Sequence, residues 1–89
     1  MNNDFYIYNS FSKFLEIKGS DRDNFLQSLI TNDIYKCKKD KAIYACLLTP
    51  QGKFIADFFI INDYDKYLLE IHQKYIDLVI TKLKLYKLK

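Results

Sequence analysis

The stretch Ala42-Ile43-Tyr44-Ala45-Cys46-Leu47-Leu48-Thr49-Pro50-Gln51-Gly52-Lys53-Phe54-Ile55-Ala56-Asp57-Phe58-Phe59-Ile60-Ile61 reads as two apolar strands joined by a turn. Residues 42–48 form an almost unbroken apolar run, which suits a strand covered on both faces. Pro50 presets the φ of the first turn residue and Gly52 can take a positive φ, so 42–49 is predicted to pair antiparallel with 53–61. One residue does not fit. Asp57 places a carboxylate among nine mostly apolar residues, where an unpaired charge is costly to desolvate.

Working outward, Asn62-Asp63-Tyr64-Asp65 predicts a second turn leading into a strand over 66–72. Residues 73–88 then carry Ile76, Val79, Ile80 and Leu83 at i, i+3, i+4 and i+7, the period of a half-buried helix. On the other side, 36–41 reads as a charged loop. Before it, Phe25, Leu26, Leu29 and Ile30 predict a helix that starts at 21, with Ser20 as N-cap and Asp23 at the third position of a weak capping box. Asp21 and Asp23 also complement the helix dipole. Thr31-Asn32-Asp33 should end that helix, with Asn32 and Asp33 capping it, because short polar side chains bond to nearby backbone. Phe5–Tyr8 and Phe14–Ile17 read as short strands separated by Asn9-Ser10 and closed by Gly19. The resulting order is β-α-β-β-β-α: an α+β fold, an antiparallel sheet with its helices on one face.

Composition sets the outer bounds. Eighty-nine residues make one domain at most, and a chain this short buries only roughly 60–65% of its unfolded surface. Apolar residues at 49% exclude disorder, and aromatics at 17% supply large side chains for a thin core. No apolar run reaches the ~18 residues of a spanning helix, and the first residues lack a signal-peptide pattern, so a cytoplasmic protein without membrane contact is expected. Net charge of +3 is mild, and the lysines near the C-terminus lack stacking aromatics, so no nucleic-acid partner is expected. Cys37 and Cys46 have no neighbouring His or second Cys pair to make a metal site and read as two reduced thiols.

Few residues could carry chemistry. His72 is the single histidine and has no Ser or Cys close in sequence to form a relay, so it reads as a core or rim residue. Two glycines are too few for a phosphate-cradling loop. Asp57 remains, either a strand carboxylate facing solvent or a lysine, or a ligand-binding group.

Three segments carry a resemblance. They are Ile17-Lys18-Gly19-Ser20-Asp21, Phe25-Leu26-Gln27-Ser28-Leu29-Ile30-Thr31-Asn32-Asp33-Ile34 and Leu48-Thr49-Pro50-Gln51-Gly52-Lys53-Phe54-Ile55-Ala56-Asp57-Phe58. In order and spacing they resemble the V-x-G-x-D, FLQ-x-L-x-TND-[VI] and L-x-x-QG-[KR]-x-x-x-D segments of the YgfZ family, part of the GcvT-like folate-binding superfamily that includes the aminomethyltransferase of the glycine cleavage system. The similarity runs from about residue 5 to 88. It implies tetrahydrofolate as cofactor, a folate-binding role for Asp57, no catalytic residue, and assistance to iron–sulfur cluster assembly or repair. The aminomethyltransferase branch has a GG-x-x-DD pattern whose second Asp aligns with Asp57 and whose first is replaced by Ala56. That replacement and the Pro50-Gln51-Gly52-Lys53 turn point to the YgfZ branch.

YgfZ proteins also carry a lysine-glycine-cysteine-tyrosine motif toward their C-terminus, which neither Cys37 nor Cys46 matches. Residues 1–89 are therefore expected to be a single, incomplete N-terminal portion of such a domain, truncated or completed by a separately encoded C-terminal piece, with iron–sulfur proteins as further partners. The alternatives are a nonfunctional remnant that only folds and a fragment of a folate-dependent aminomethyltransferase.

Overall fold

A computed structural model describes residues 11–87. Its elements are β1 (Ser12–Lys18), α1 (Arg22–Gln27), a 3₁₀ turn (Ile34–Lys36), β2 (Ile43–Leu48), β3 (Phe54–Asp63), β4 (Lys66–His72) and α2 (Gln73–Lys87). The four strands form one antiparallel sheet in the order β1-β4-β3-β2. The α+β class and strand-helix order match the expectation; the strand expected over Phe5–Tyr8 lies outside the described residues.

The hairpin at 49–53 forms as its sequence dictates. Gly52 N–H donates to the Thr49 carbonyl at 2.8 Å, Pro50 and Gln51 occupy the centre of the turn, and Gly52 takes φ +89°. A type I turn followed by a left-handed residue has this form, and glycine is the residue that enters it without strain. The register shifts next to the turn: Leu47 faces Ala56 but Leu48 faces Phe54, so Ile55 is the extra residue of a bulge. Ile55 and Ala56 are therefore both buried while Phe54 turns out to solvent.

The second hairpin is tighter than expected. β3 continues to Asp63, and only Tyr64 and Asp65 form the loop. Tyr64 sits at φ +61° and its ring is exposed, with Lys39 Nζ 4.5 Å from the ring centre. A side chain bearing a Cβ is strained there. Tyr64→Gly is expected to raise stability by about 0.5–1 kcal/mol, read as a higher chemical-denaturation midpoint.

Alternation along the strands puts one face of the sheet in the core. Leu15, Ile17, Tyr67, Leu69, Ile71, Ile60, Phe58, Ala56, Ile43, Ala45 and Leu47 line that face and pack with Leu26, Ile34, Cys37, Val79 and Leu83. All three helical segments contribute to this cluster, so the helices share one side, as expected. The other side stays open. β2 is thus covered on one face and not on both: Tyr44 is half exposed.

Helix α1 departs from its expected form. It spans six residues, and its N-cap is Asp21, which makes no side-chain capping bond. Ser20 is not the cap, and Asp23 closes no capping box because its carboxylate accepts the Tyr67 hydroxyl at 2.7 Å. Tyr67 is 5% exposed, and a buried hydroxyl needs a partner. After Gln27 the chain turns, and residues 30–32 run along the edge of β2. Thr31 N–H donates to the Cys46 carbonyl, Cys46 N–H to Thr31 Oγ1, and Asn32 Nδ2 to the Tyr44 carbonyl. Asn32 and Asp33 accordingly do not cap α1. Asp33 caps the 3₁₀ turn, accepting Tyr35 N–H at 3.0 Å.

Burial, then the bond to Asp23, pushes the Tyr67 pKa up, and burial does the same for the Cys37 thiol. Both groups bind their protons more tightly when folded. Their contribution is complete below the unfolded values, about 8.5 for Cys and about 10 for Tyr, and is lost as pH rises above them. Thermal melts between pH 7 and 11 should show the midpoint falling from about pH 9. Tyr67→Phe should flatten the upper part of that fall while costing about 1 kcal/mol at pH 7.

Candidate functional site on the open face of the sheet

Strand register lays out the open face in rows. Phe14, Glu70, Phe59 and Tyr44 form one row across all four strands, since Phe14 and Phe59 both face Glu70 and Tyr44 faces Phe59. The adjacent row holds Ser12, which faces His72, and Asp57, which faces Cys46. Side chains two residues apart on a strand share a face, so Asp57 and Phe59 are neighbours on β3.

Asp57 is half buried, and the Tyr44 hydroxyl donates to its Oδ2 at 2.5 Å. Its other oxygen has no partner among the described residues. The hydrogen bond to Asp57 is the main reason the Tyr44 pKa is driven upward, so the phenol stays protonated and keeps donating. The Tyr44 ring meets Phe59 edge-on, 5.5 Å between centroids at 60°, and Cys46 Sγ lies 4.0 Å from the Tyr44 hydroxyl. Thr31 and Asn32 fix the backbone that carries Tyr44, which gives the Thr31-Asn32-Asp33 segment a part in the site that helix capping did not foresee. Ser12, Tyr44, Asp57, Phe59, Glu70 and His72 line a shallow depression of about 170 Å³.

His72 lies at the rim of this depression. Its Nδ1 accepts Lys74 N–H at 3.1 Å, and its ring stacks on Phe11 at 5.9 Å, nearly parallel. Of the core and rim positions expected for it, His72 takes the rim. Cys37 sits far below in the core, its thiol donating to the Ile60 carbonyl at 3.2 Å, and both cysteines are free thiols. Among the described residues no group of three His, Cys, Asp or Glu could hold a metal ion, and no helix is long and apolar enough to cross a membrane.

A larger trough of about 560 Å³ runs between β1, α1 and the end of α2, over Leu15, Ile17, Phe25 and Leu83. It holds neither Asp57 nor Tyr44. A carboxylate with one free oxygen, a fixed hydroxyl and an exposed aromatic ring together can take a flat molecule that offers N–H donors. The depression has that set. Sequence reading singled out Asp57 but not Tyr44, Phe59 or Glu70; counting back through the Thr49–Gly52 turn sets Asp57 opposite Ala45, and only the bulge at Ile55 shifts it onto the face that carries Tyr44.

Residues 8–86 match the GCVT N-terminal domain. An aminomethyltransferase of Bacillus pumilus is 36% identical over 64 residues, which is 71% of this chain and 18% of that protein. An aminomethyltransferase of Bordetella pertussis is 38% identical over 47 residues, 52% of this chain and 13% of that protein. The chain thus spans less than a fifth of the length of these relatives.

Proposed function

Because the chain belongs to the GCVT N-terminal domain family, we propose that the open face around Asp57 forms one wall of a tetrahydrofolate-binding site. The observation that carries this reading is the Asp57 carboxylate, held at one oxygen by Tyr44 and, among the described residues, without a partner at the other, beside the exposed ring of Phe59. A fixed carboxylate matches the paired N–H donors of an aminopyrimidine, and the Phe59 ring offers a surface for the flat heterocycle. Asp57 is the binding residue, and Tyr44 orients it.

Two features favour service to iron–sulfur proteins, in the manner of the YgfZ branch, over aminomethyl transfer. Ala56 is fully buried and faces Leu47 in the core, where a second carboxylate would lack a partner. The Pro50-Gln51-Gly52-Lys53 turn is also worded as in that branch. The second reading, a portion of an aminomethyltransferase, is favoured by the identity to the relatives above.

Isothermal titration of the chain with tetrahydrofolate tests the proposal, with circular dichroism to establish folding. Micromolar affinity supports a working wall. A folded chain that takes up no tetrahydrofolate would leave a structural remnant or one half of a split protein.

A further inference from the structure

Glu70 is unexplained by the fold. It sits half buried in the middle of the open face, with Phe14 facing it from β1 and Phe59 from β3. Among the described residues it has no hydrogen-bond or ion-pair partner, although a carboxylate between two aromatic side chains loses part of its hydration and gains nothing in return. Its neighbours on β4 with the same orientation do not share the problem: Leu68 is apolar, and Lys66 pairs with Glu16 and Asp63.

We infer that Glu70 is a specificity-determining residue of the Asp57 site and selects the reduced pterin ring over the oxidised one. The inference rests on the folate reading above. Asp57 and Glu70 lie diagonally on neighbouring strands, about 7–8 Å apart between backbones by sheet geometry. Phe59 is directly opposite Glu70 and two residues from Asp57, so a flat bicycle lying over Phe59 meets one carboxylate at each end. With the aminopyrimidine edge on Asp57, the second ring is presented to Glu70.

The chemistry of that ring differs between oxidation states. In a tetrahydropterin its nitrogens carry hydrogens and donate. In the fully oxidised pterin the same nitrogens carry lone pairs, and these would face the Glu70 oxygens as acceptor against acceptor. A buried acceptor that meets no donor rejects the wrong ligand more strongly than a matching bond favours the right one. Discrimination therefore arises mainly from loss of the oxidised ligand. A neutral amide at this position can turn its NH₂ group to the oxidised ring and would erase the preference.

The test is titration of the chain, of Glu70→Gln and of Asp57→Asn with tetrahydrofolate and, separately, with folic acid, each protein first checked by thermal melt. The unaltered chain should prefer tetrahydrofolate by about tenfold or more, the effect of one charge-assisted hydrogen bond. Glu70→Gln should bring the two affinities within about threefold of each other, mostly by improving folic acid, whereas Asp57→Asn should weaken both ligands together and keep their ratio. An unchanged ratio in Glu70→Gln, with Asp57→Asn still weakening both ligands, would overturn the role of Glu70 and leave the folate site standing. Failure of the unaltered chain to bind either ligand would overturn both. Lost discrimination in Glu70→Gln alongside an Asp57→Asn variant of normal affinity would keep Glu70 and remove Asp57.

Discussion

Leu69→Ala is expected to lower the thermal midpoint of the chain by about 15 °C or more, a loss of roughly 3–5 kcal/mol. Leu69 is wholly buried on β4, an inner strand, and faces Leu15 on one side and Ile60 on the other. It belongs to the single cluster that joins the sheet to Val79 and Leu83 of α2. Removing its side chain takes away apolar burial and also leaves a hole that strands hydrogen-bonded on both sides cannot close. A domain of this length has a total stability of roughly 5–13 kcal/mol, so this one change removes a large part of it. Phe14→Ala is the control. Phe14 is 59% exposed on the open face, and its loss should shift stability by no more than about 0.5 kcal/mol. Melts followed by circular dichroism check both.

The second large effect is on binding. Asp57→Asn should weaken tetrahydrofolate by about tenfold to a hundredfold while leaving the melting midpoint nearly unchanged. The amide keeps the shape of the carboxylate and one acceptor oxygen, so the Tyr44 hydroxyl still has a partner. What is lost is the negative charge and the second acceptor, and hydrogen bonds to a charged acceptor are roughly twice as strong as neutral ones. Tyr44→Phe should cost less, about fivefold, since it frees Asp57 to move without removing it. If Asp57→Asn binds as tightly as the unaltered chain, Asp57 is a surface strand residue and nothing more.

Most of the sheet was legible in local sequence. The apolar runs, the Pro50 to Gly52 turn and the spacing of Val79 and Leu83 each act within a few residues, and each produced the element expected of it. What was not legible depends on distant partners. Leu29 and Ile30 keep helical spacing, yet the chain leaves the helix before them because the edge of β2 needs hydrogen bonds that Thr31 and Asn32 supply. Asp23 looked like a capping residue because nothing local reveals the buried Tyr67 hydroxyl, 44 residues away, that claims it. Cys37 is buried within the 36–41 segment read as a charged loop, and Ile34 just before it, since the lysines that follow hide two apolar positions three residues apart. The site divides in the same way. Asp57 stood out as a charge in an apolar strand, but its pairing with Tyr44, 13 residues away, and the row that sets Glu70 beside Phe59 appear only when the strands are brought together.

The location of the ligand is the claim on which the functional reading depends, and it can be mapped directly. Backbone amide chemical shifts of the chain, recorded by nuclear magnetic resonance as tetrahydrofolate is added, should change around Tyr44, Asp57, Phe59 and Glu70. Amides around Phe25 and Leu83, which line the trough on the opposite, helical side, should stay still. Changes confined to that trough, with the Asp57 row unmoved, would contradict the account.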